Sequence, residues 1–193
     1  MNDFAGKVFK YRSYTPIPFL IVMLVFQNVT IESLIIGFII ALIGESLRFW
    51  GVCYAGSETR TTGSVGGSYL VISGAFAYVR NPLYLGNILL YMGIGIMSMS
   101  LFPYLQILAL VFFYAQYRII ISQEEKYLLK SFGYDYEDYL HSVPRLIPKV
   151  TPYKNDKIKQ PELNIKAGLR SEKRSLQALT IVTGILIIFY IAI

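Results

Sequence analysis

Three short stretches carry the residue types that could do chemistry. The first is Gly74-Ala-Phe76-Ala-Tyr78-Val-Arg80-Asn81-Pro82-Leu83-Tyr84-Leu-Gly86. Pro82 suits the first turn of a helix and pushes Asn81 out of helical geometry. Backbone amides at a helix start lack internal partners and can donate to a polar ligand. Arg80 and Asn81 place polar groups at the same mouth, and Tyr78 and Tyr84 flank it. The same residues also suit a plain membrane-interface helix start with snorkelling anchors. The second stretch is Gln123-Glu124-Glu125, where adjacent carboxylates point about 100° apart on a helix. One facing inward would hold a ligand ammonium; otherwise the pair is a solvated cap or pairs with Arg118 or Lys126. The third is Phe132-Gly133-Tyr134-Asp135-Tyr136-Glu137-Asp138-Tyr139, followed by Val143-Pro144-Arg145-Leu146-Ile147-Pro148. Gly133 reads as a helix C-cap, Asp135 as the cap of the next short helix, and the proline-flanked tail as a cover for a site.

The elements that position these residues are set by composition. Of 193 residues, 54% are hydrophobic and only 16% charged, and the apolar residues sit in long blocks. The chain is therefore expected to be all-α, a polytopic membrane bundle with about five transmembrane helices and a cofactor pocket at the cytoplasmic face. The spans are placed at Ile17–Val29, Ile31–Ala55, Leu83–Phe102, Tyr104–Ile121 and Leu176–Ile193. Gly86, Gly93 and Gly95 allow close helix approach in the third. Glu45 and Arg48, three apart, pair on one face of the second.

Charge sets the orientation. Residues 118–175 hold 12 of the 18 basic residues, and every basic residue except Arg48 falls on one side. By the positive-inside rule that side is the cytoplasm, with the N-terminus inside and the C-terminus outside. The net charge of +6 is then explained by topology and by anionic lipid headgroups, and no nucleic acid is needed. One His and one Cys exclude a Cys/His zinc site and an intramolecular disulfide. No metal is expected. The chain divides into a core over 1–150, a polar basic linker over 151–174 that hugs the lipid surface, and a C-terminal span over 175–193. Gly63-Ser-Val-Gly66-Gly67 lacks the strand and the GK[ST] of a phosphate loop and reads as flexible loop.

In this order, the motifs resemble those of the isoprenylcysteine carboxyl methyltransferases and the related phospholipid N-methyltransferases. The family pattern is roughly G-x-Y-x-x-x-R-H-P-x-Y-x-G, a transmembrane hairpin, then E-E-x-x-L-x-x-x-F-G-x-x-Y-x-x-Y and a proline-flanked basic tail. The resemblance covers about residues 35–150. Asn81 stands where the family commonly has His, and Phe76 where it commonly has Tyr. The resemblance implies S-adenosylmethionine as cofactor. It carries the family's cofactor contacts onto Ser68, Tyr69, Leu70, Val71, Phe76, Asn81, Pro82, Leu83, Tyr84 and Glu125, with Glu124 or Glu125 holding the methionyl ammonium. Arg80 joins that set from its place at the helix mouth. The expected reaction is methyl transfer to a lipophilic acceptor entering from the bilayer. A carboxylate acceptor of the isoprenylcysteine kind would be oriented by Arg118 or Arg145. A phospholipid amine would need a base such as Glu45, Glu124 or His141. The balance of arginines over convincing bases favours the carboxylate. A membrane reductase and a noncatalytic subunit are the readings from other classes.

Overall fold

A computed structural model describes residues 3–56 and 69–192. Those residues form helices and connecting turns: α1 Asp3–Tyr11, α2 Pro16–Val25, α3 Ile31–Ala55, a 3-10 turn at Gly74–Ala77, α4 Pro82–Ser98, α5 Tyr104–Phe132, α6 Tyr134–Ser142 and α7 Ile165–Ala192. Ser68, Arg60 and the Gly63–Gly67 loop lie outside the described residues.

Helices α3 and α4 form the most extensively packed pair. Their sequences explain why. Gly37 faces Gly93 and Gly44 faces Gly86, two turns apart on each helix, so the pair runs antiparallel with the backbones in close approach. A Cβ on Gly44 would sit 2.6 Å from the Gly86 carbonyl oxygen. Gly95 faces the other way, toward Met23 and Gln106. A capping box starts α3: Thr30 Oγ1 accepts from Ser33 N at 3.1 Å, and Ser33 Oγ accepts from Thr30 N at 3.0 Å. The Ser33 hydroxyl donates as well to the Met97 carbonyl at 3.1 Å, tying α3 to the end of α4.

Three helices, α3, α5 and α7, are long and apolar enough to cross a bilayer. The two other predicted spans are shorter than expected. Helix α2 has 10 residues and ends at Val25 rather than Val29. Helix α4 has 17 residues, about 25 Å at 1.5 Å per residue, and ends where Met99 turns left-handed at φ 48°. Apolar side chains such as Ile35, Ile39, Leu42, Ile107, Val111, Ile181 and Ile188 are exposed on the three long helices. An apolar surface that extensive matches lipid rather than water.

Further corrections concern helix ends. Gly133, at φ 52°, terminates α5 as expected and also serves as the N-cap of α6. Asp135 is therefore inside the first turn of α6, where it makes no side-chain cap. The helix carrying the last span begins at Ile165, not near Leu176. Asn164 supplies the reason: its Oδ1 accepts from Ala167 N at 2.9 Å and its carbonyl from Gly168 N at 3.1 Å.

A separate small core lies beside α6. Leu70, Ile72, Tyr136, Tyr139 and Val143 are buried together, with Leu128, Phe132, Tyr153 and Ile158 packed around them. It fastens the segments before α4 and after α6 to one another.

Candidate functional site

Arg80 and Asn81 end the segment between the 3-10 turn and α4, Glu124 and Glu125 lie on the last turns of α5, and Arg145 follows α6. Sequence separation is large, yet the chain brings the five together. A shared backbone ladder does part of the work. Arg80 N donates to Pro144 O, Lys149 N to Tyr78 O and Tyr153 N to Ala77 O, each at 2.9 Å. The tail after α6 thus runs antiparallel along residues 77–80. The Tyr139 hydroxyl adds a 2.7 Å bond to the Phe76 carbonyl.

Glu125 is at the centre. Its Oε1 accepts from Arg80 Nε at 3.2 Å, Arg80 Nη2 at 3.1 Å and Arg145 Nε at 3.0 Å. Its Oε2 accepts from Arg145 Nη2. The remaining Arg80 nitrogen, Nη1, donates to the carbonyls of Leu140 and Val143. Those carbonyls close α6, where the helix has no internal donor for them and its dipole is negative. Only a planar guanidinium offers donors in all these directions at once, so lysine would not substitute for Arg80. The side chains are 9% exposed for Arg80, 8% for Glu125 and 28% for Arg145. Two guanidiniums on one carboxylate leave the cluster with surplus positive charge.

Asn81 is drawn to the same tail. Its Nδ2 donates to the Arg145 carbonyl at 3.1 Å, and it makes no side-chain cap on α4. The first helical acceptor serves Leu85, whose amide donates to the Asn81 carbonyl at 3.1 Å. The amides of Leu83 and Tyr84 thus have no acceptor from the helix itself. Next to them, the Tyr84 hydroxyl donates to Glu124 Oε1 at 2.7 Å. The Ser73 hydroxyl, buried just ahead of the 3-10 turn, has no hydrogen-bond partner among the described residues. Burial first, and the neighbouring Tyr136, hold the Tyr139 phenol well above its usual range.

Other predicted residues are placed as follows. Leu70 and Pro82 are buried, Val71, Phe76 and Leu83 half-buried, and Tyr69 exposed. Arg118 is exposed on α5 and His141 exposed on α6. Glu45 and Arg48 pair at 3.6 Å as the spacing implies, but in a second cluster with Glu172 and Ser175 of α7. Sequence reasoning missed the Leu140 and Val143 carbonyls, Ser73, and Gln160, whose side chain bonds to the backbone of residues 70–72. Backbone acceptors and a lone serine or glutamine leave no pattern in a sequence.

Comparison with known proteins bears on the family of the chain. The chain is 29% identical over 121 residues to the cobalt-zinc-cadmium resistance protein CzcN of Cupriavidus metallidurans, an alignment covering 61% of this chain and 51% of that protein. The chain thus spans about half the length of the curated relative it matches. The model of the phospholipid methyltransferase family matches residues 33–135, from the start of α3 into α6. That interval holds both halves of the Arg80–Glu125 pair and more than half of the chain. With its three long apolar helices, this integral membrane chain belongs to the phospholipid methyltransferase family.

Proposed function

We propose that the chain is an S-adenosylmethionine-dependent methyltransferase acting on a lipid-borne acceptor, with the site at the cytoplasmic face of a five-helix membrane bundle. The carrying observation is the Arg80–Glu125–Arg145 cluster, which draws both motif halves and the tail onto the start of α4. Residues 1–150 form the working core, with the N-terminus inside and the C-terminus outside.

The residues fit the cofactor's chemistry. Ser73 offers a buried hydroxyl with no described partner, and Leu83 and Tyr84 offer uncapped amides for polar acceptors. Glu124, oriented by Tyr84, is kept for the acceptor's proton and not for the cofactor's ammonium. Glu125, already matched by two arginines, is better suited to holding Arg80 and Arg145 in place. Tyr69, Leu70, Val71 and Phe76 would supply the apolar side, and Ser68 remains a candidate from the resemblance alone. When bound, the cofactor supplies a methyl group already activated on a sulfonium, so the protein's part is positioning and water exclusion.

The acceptor reading shifts from carboxylate to amine. Arg145, the cation a carboxylate would want, is paired with Glu125, and Arg118 is exposed. Glu124, oriented by Tyr84, can receive the proton that an ammonium headgroup must lose before it attacks. The family match supports the same choice. Calorimetry of the purified protein with S-adenosylhomocysteine should show binding, and its absence at millimolar ligand would remove the methyltransferase reading. Methyl transfer from labelled cofactor should then reach phosphatidylethanolamine in vesicles. Labelling of prenylcysteine instead would restore the carboxylate acceptor.

A further inference from the structure

The polar stretch between Tyr153 and α7 lies beyond residues 33–135 and reads in sequence as a linker. In the structure it is tied at both ends. At one end Tyr153 N donates to Ala77 O at 2.9 Å, and its hydroxyl to Asp138 Oδ2 at 2.5 Å. At the other, Asn164 N donates to the Cys53 carbonyl at 2.8 Å, on the last turn of α3. Between these ties sits Gln160. Its Oε1 accepts from Ile72 N at 2.8 Å and its Nε2 donates to Leu70 O at 3.1 Å.

One side-chain amide thus satisfies a donor and an acceptor two residues apart on the same edge of the backbone, as a neighbouring strand would. Leu70 and Ile72 are buried, so their backbone groups need such a partner. The pair brackets Val71 and directly precedes Ser73, whose buried hydroxyl has no partner among the described residues. The same short piece, 160–164, also holds Cys53, so it fixes the chain on both sides of residues 57–68.

We infer that Gln160 is a positioning residue of the cofactor site, a surrogate strand that holds Leu70–Ser73 in register from outside residues 33–135, which the family model matches. It touches no reacting atom and acts through the backbone of residues 70–72. The inference rests on the proposed function, because those residues matter to a ligand only if they border the cofactor.

The test pairs two measurements on the full-length protein in detergent. Gln160→Met keeps length and removes both bonds, while Gln160→Glu keeps the acceptor for Ile72 N but turns a carboxylate oxygen toward the Leu70 carbonyl in place of the donor. The Ile72 amide should exchange faster in Gln160→Met, and affinity for S-adenosylhomocysteine should fall about ten-fold, the worth of one net hydrogen bond. Gln160→Glu, with its carboxylate against the Leu70 carbonyl, should also lose affinity, and Lys157→Ala, on the exposed face of the same stretch, should match the wild type. A merely structural role would lower the unfolding midpoint and leave the affinity of the folded fraction unchanged. That result, or faster Ile72 exchange with wild-type affinity, overturns the inference. Should Gln160→Met fail to fold, Gln160→Glu decides, and wild-type affinity in it is equally fatal. Failure of the wild type to bind removes the proposed function instead, while Ile72 exchange still reports whether the clamp exists.

Discussion

Among the described residues, two arginine–glutamate clusters are built differently. Around Glu125, two guanidiniums share one carboxylate and the spare donors reach loop carbonyls. Around Arg48, one guanidinium lies between two carboxylates. Its Nη2 is 2.6 Å from Glu172 Oε2 and its Nε 3.6 Å from Glu45 Oε2. Nη1 reaches the Asn87 side chain, which continues to Tyr117. Ser175 Oγ donates to Glu45 at 2.6 Å.

Their surroundings differ as much as their charge balance. The Arg48 cluster is deeper, with Glu172 0% and Glu45 3% exposed, and it joins three long or apolar helices. It fastens α7 to α3, and Gly168 makes the contact possible by leaving room for the Cys53 sulfur and the Phe49 ring. The Glu125 cluster joins segments that are mostly loop, and one member, Arg145, is 28% exposed. A buried pair in apolar surroundings fixes helix position and becomes costly when half of it is removed. A partly exposed cluster fixes loops and tolerates change better. Similar residue types therefore anchor helices in one place and loops in the other.

The largest expected effect tests the anchor. Arg48→Leu removes the guanidinium from between two buried carboxylates and should lower stability by about 3–5 kcal/mol, measured by reversible unfolding in mixed micelles. Equal loss from Arg145→Met would erase the distinction between the clusters. Next comes the ligand side. Glu125→Ala should weaken S-adenosylhomocysteine binding by about 1.5–3 kcal/mol by calorimetry, because Arg80 and Arg145 lose their shared acceptor. Wild-type affinity would assign Glu125 to structure alone.

The glycine seam should couple both regions. Gly44→Ala forces a methyl against the Gly86 carbonyl and should cost about 1–3 kcal/mol. Gly184→Ala, with nothing within 4 Å, should be neutral or slightly stabilising on the same unfolding assay. The smallest effect concerns the loop core. Tyr139→Phe removes the bond to the Phe76 carbonyl and should cost about 1 kcal/mol. Its pH dependence follows from the raised phenol. The folded state holds the Tyr139 proton more tightly than the unfolded chain does, so this contribution is fully present below the unfolded value of about 10 and declines as pH rises above it. The difference between wild type and Tyr139→Phe should therefore shrink only in alkaline titrations.

Much of this was legible before any coordinates. The apolar blocks located α3, α5 and α7, because a bilayer demands long runs of nonpolar residues. Pro82 marked the start of α4 and Gly133 the end of α5, since each has a backbone role few residues can fill. Arg80, Glu125 and Arg145 stood out by type and order, and the family resemblance they carried agrees with the family match. Less legible were the lengths of α2 and α4, which stop at Val25 and at the left-handed Met99, short of the apolar blocks read as spans.

Sequence alone determined the membrane class, the helix seams and the residue types of the site, because hydropathy, glycine and proline act locally. Only the tertiary structure decided who meets whom. Glu125 was weighed against Arg118 and Lys126 as neighbours on its own helix, yet its partners are Arg80 and Arg145, 45 and 20 residues away. Glu172 lies in the stretch read as a polar basic linker, but its fully buried side chain pairs with Arg48. Gln160 carried no signal, and its role exists because folding lays it against the backbone of residues 70–72. The physical reason is the same in each case. Charge pairing and backbone satisfaction depend on distance in space, and a sequence records distance only along the chain.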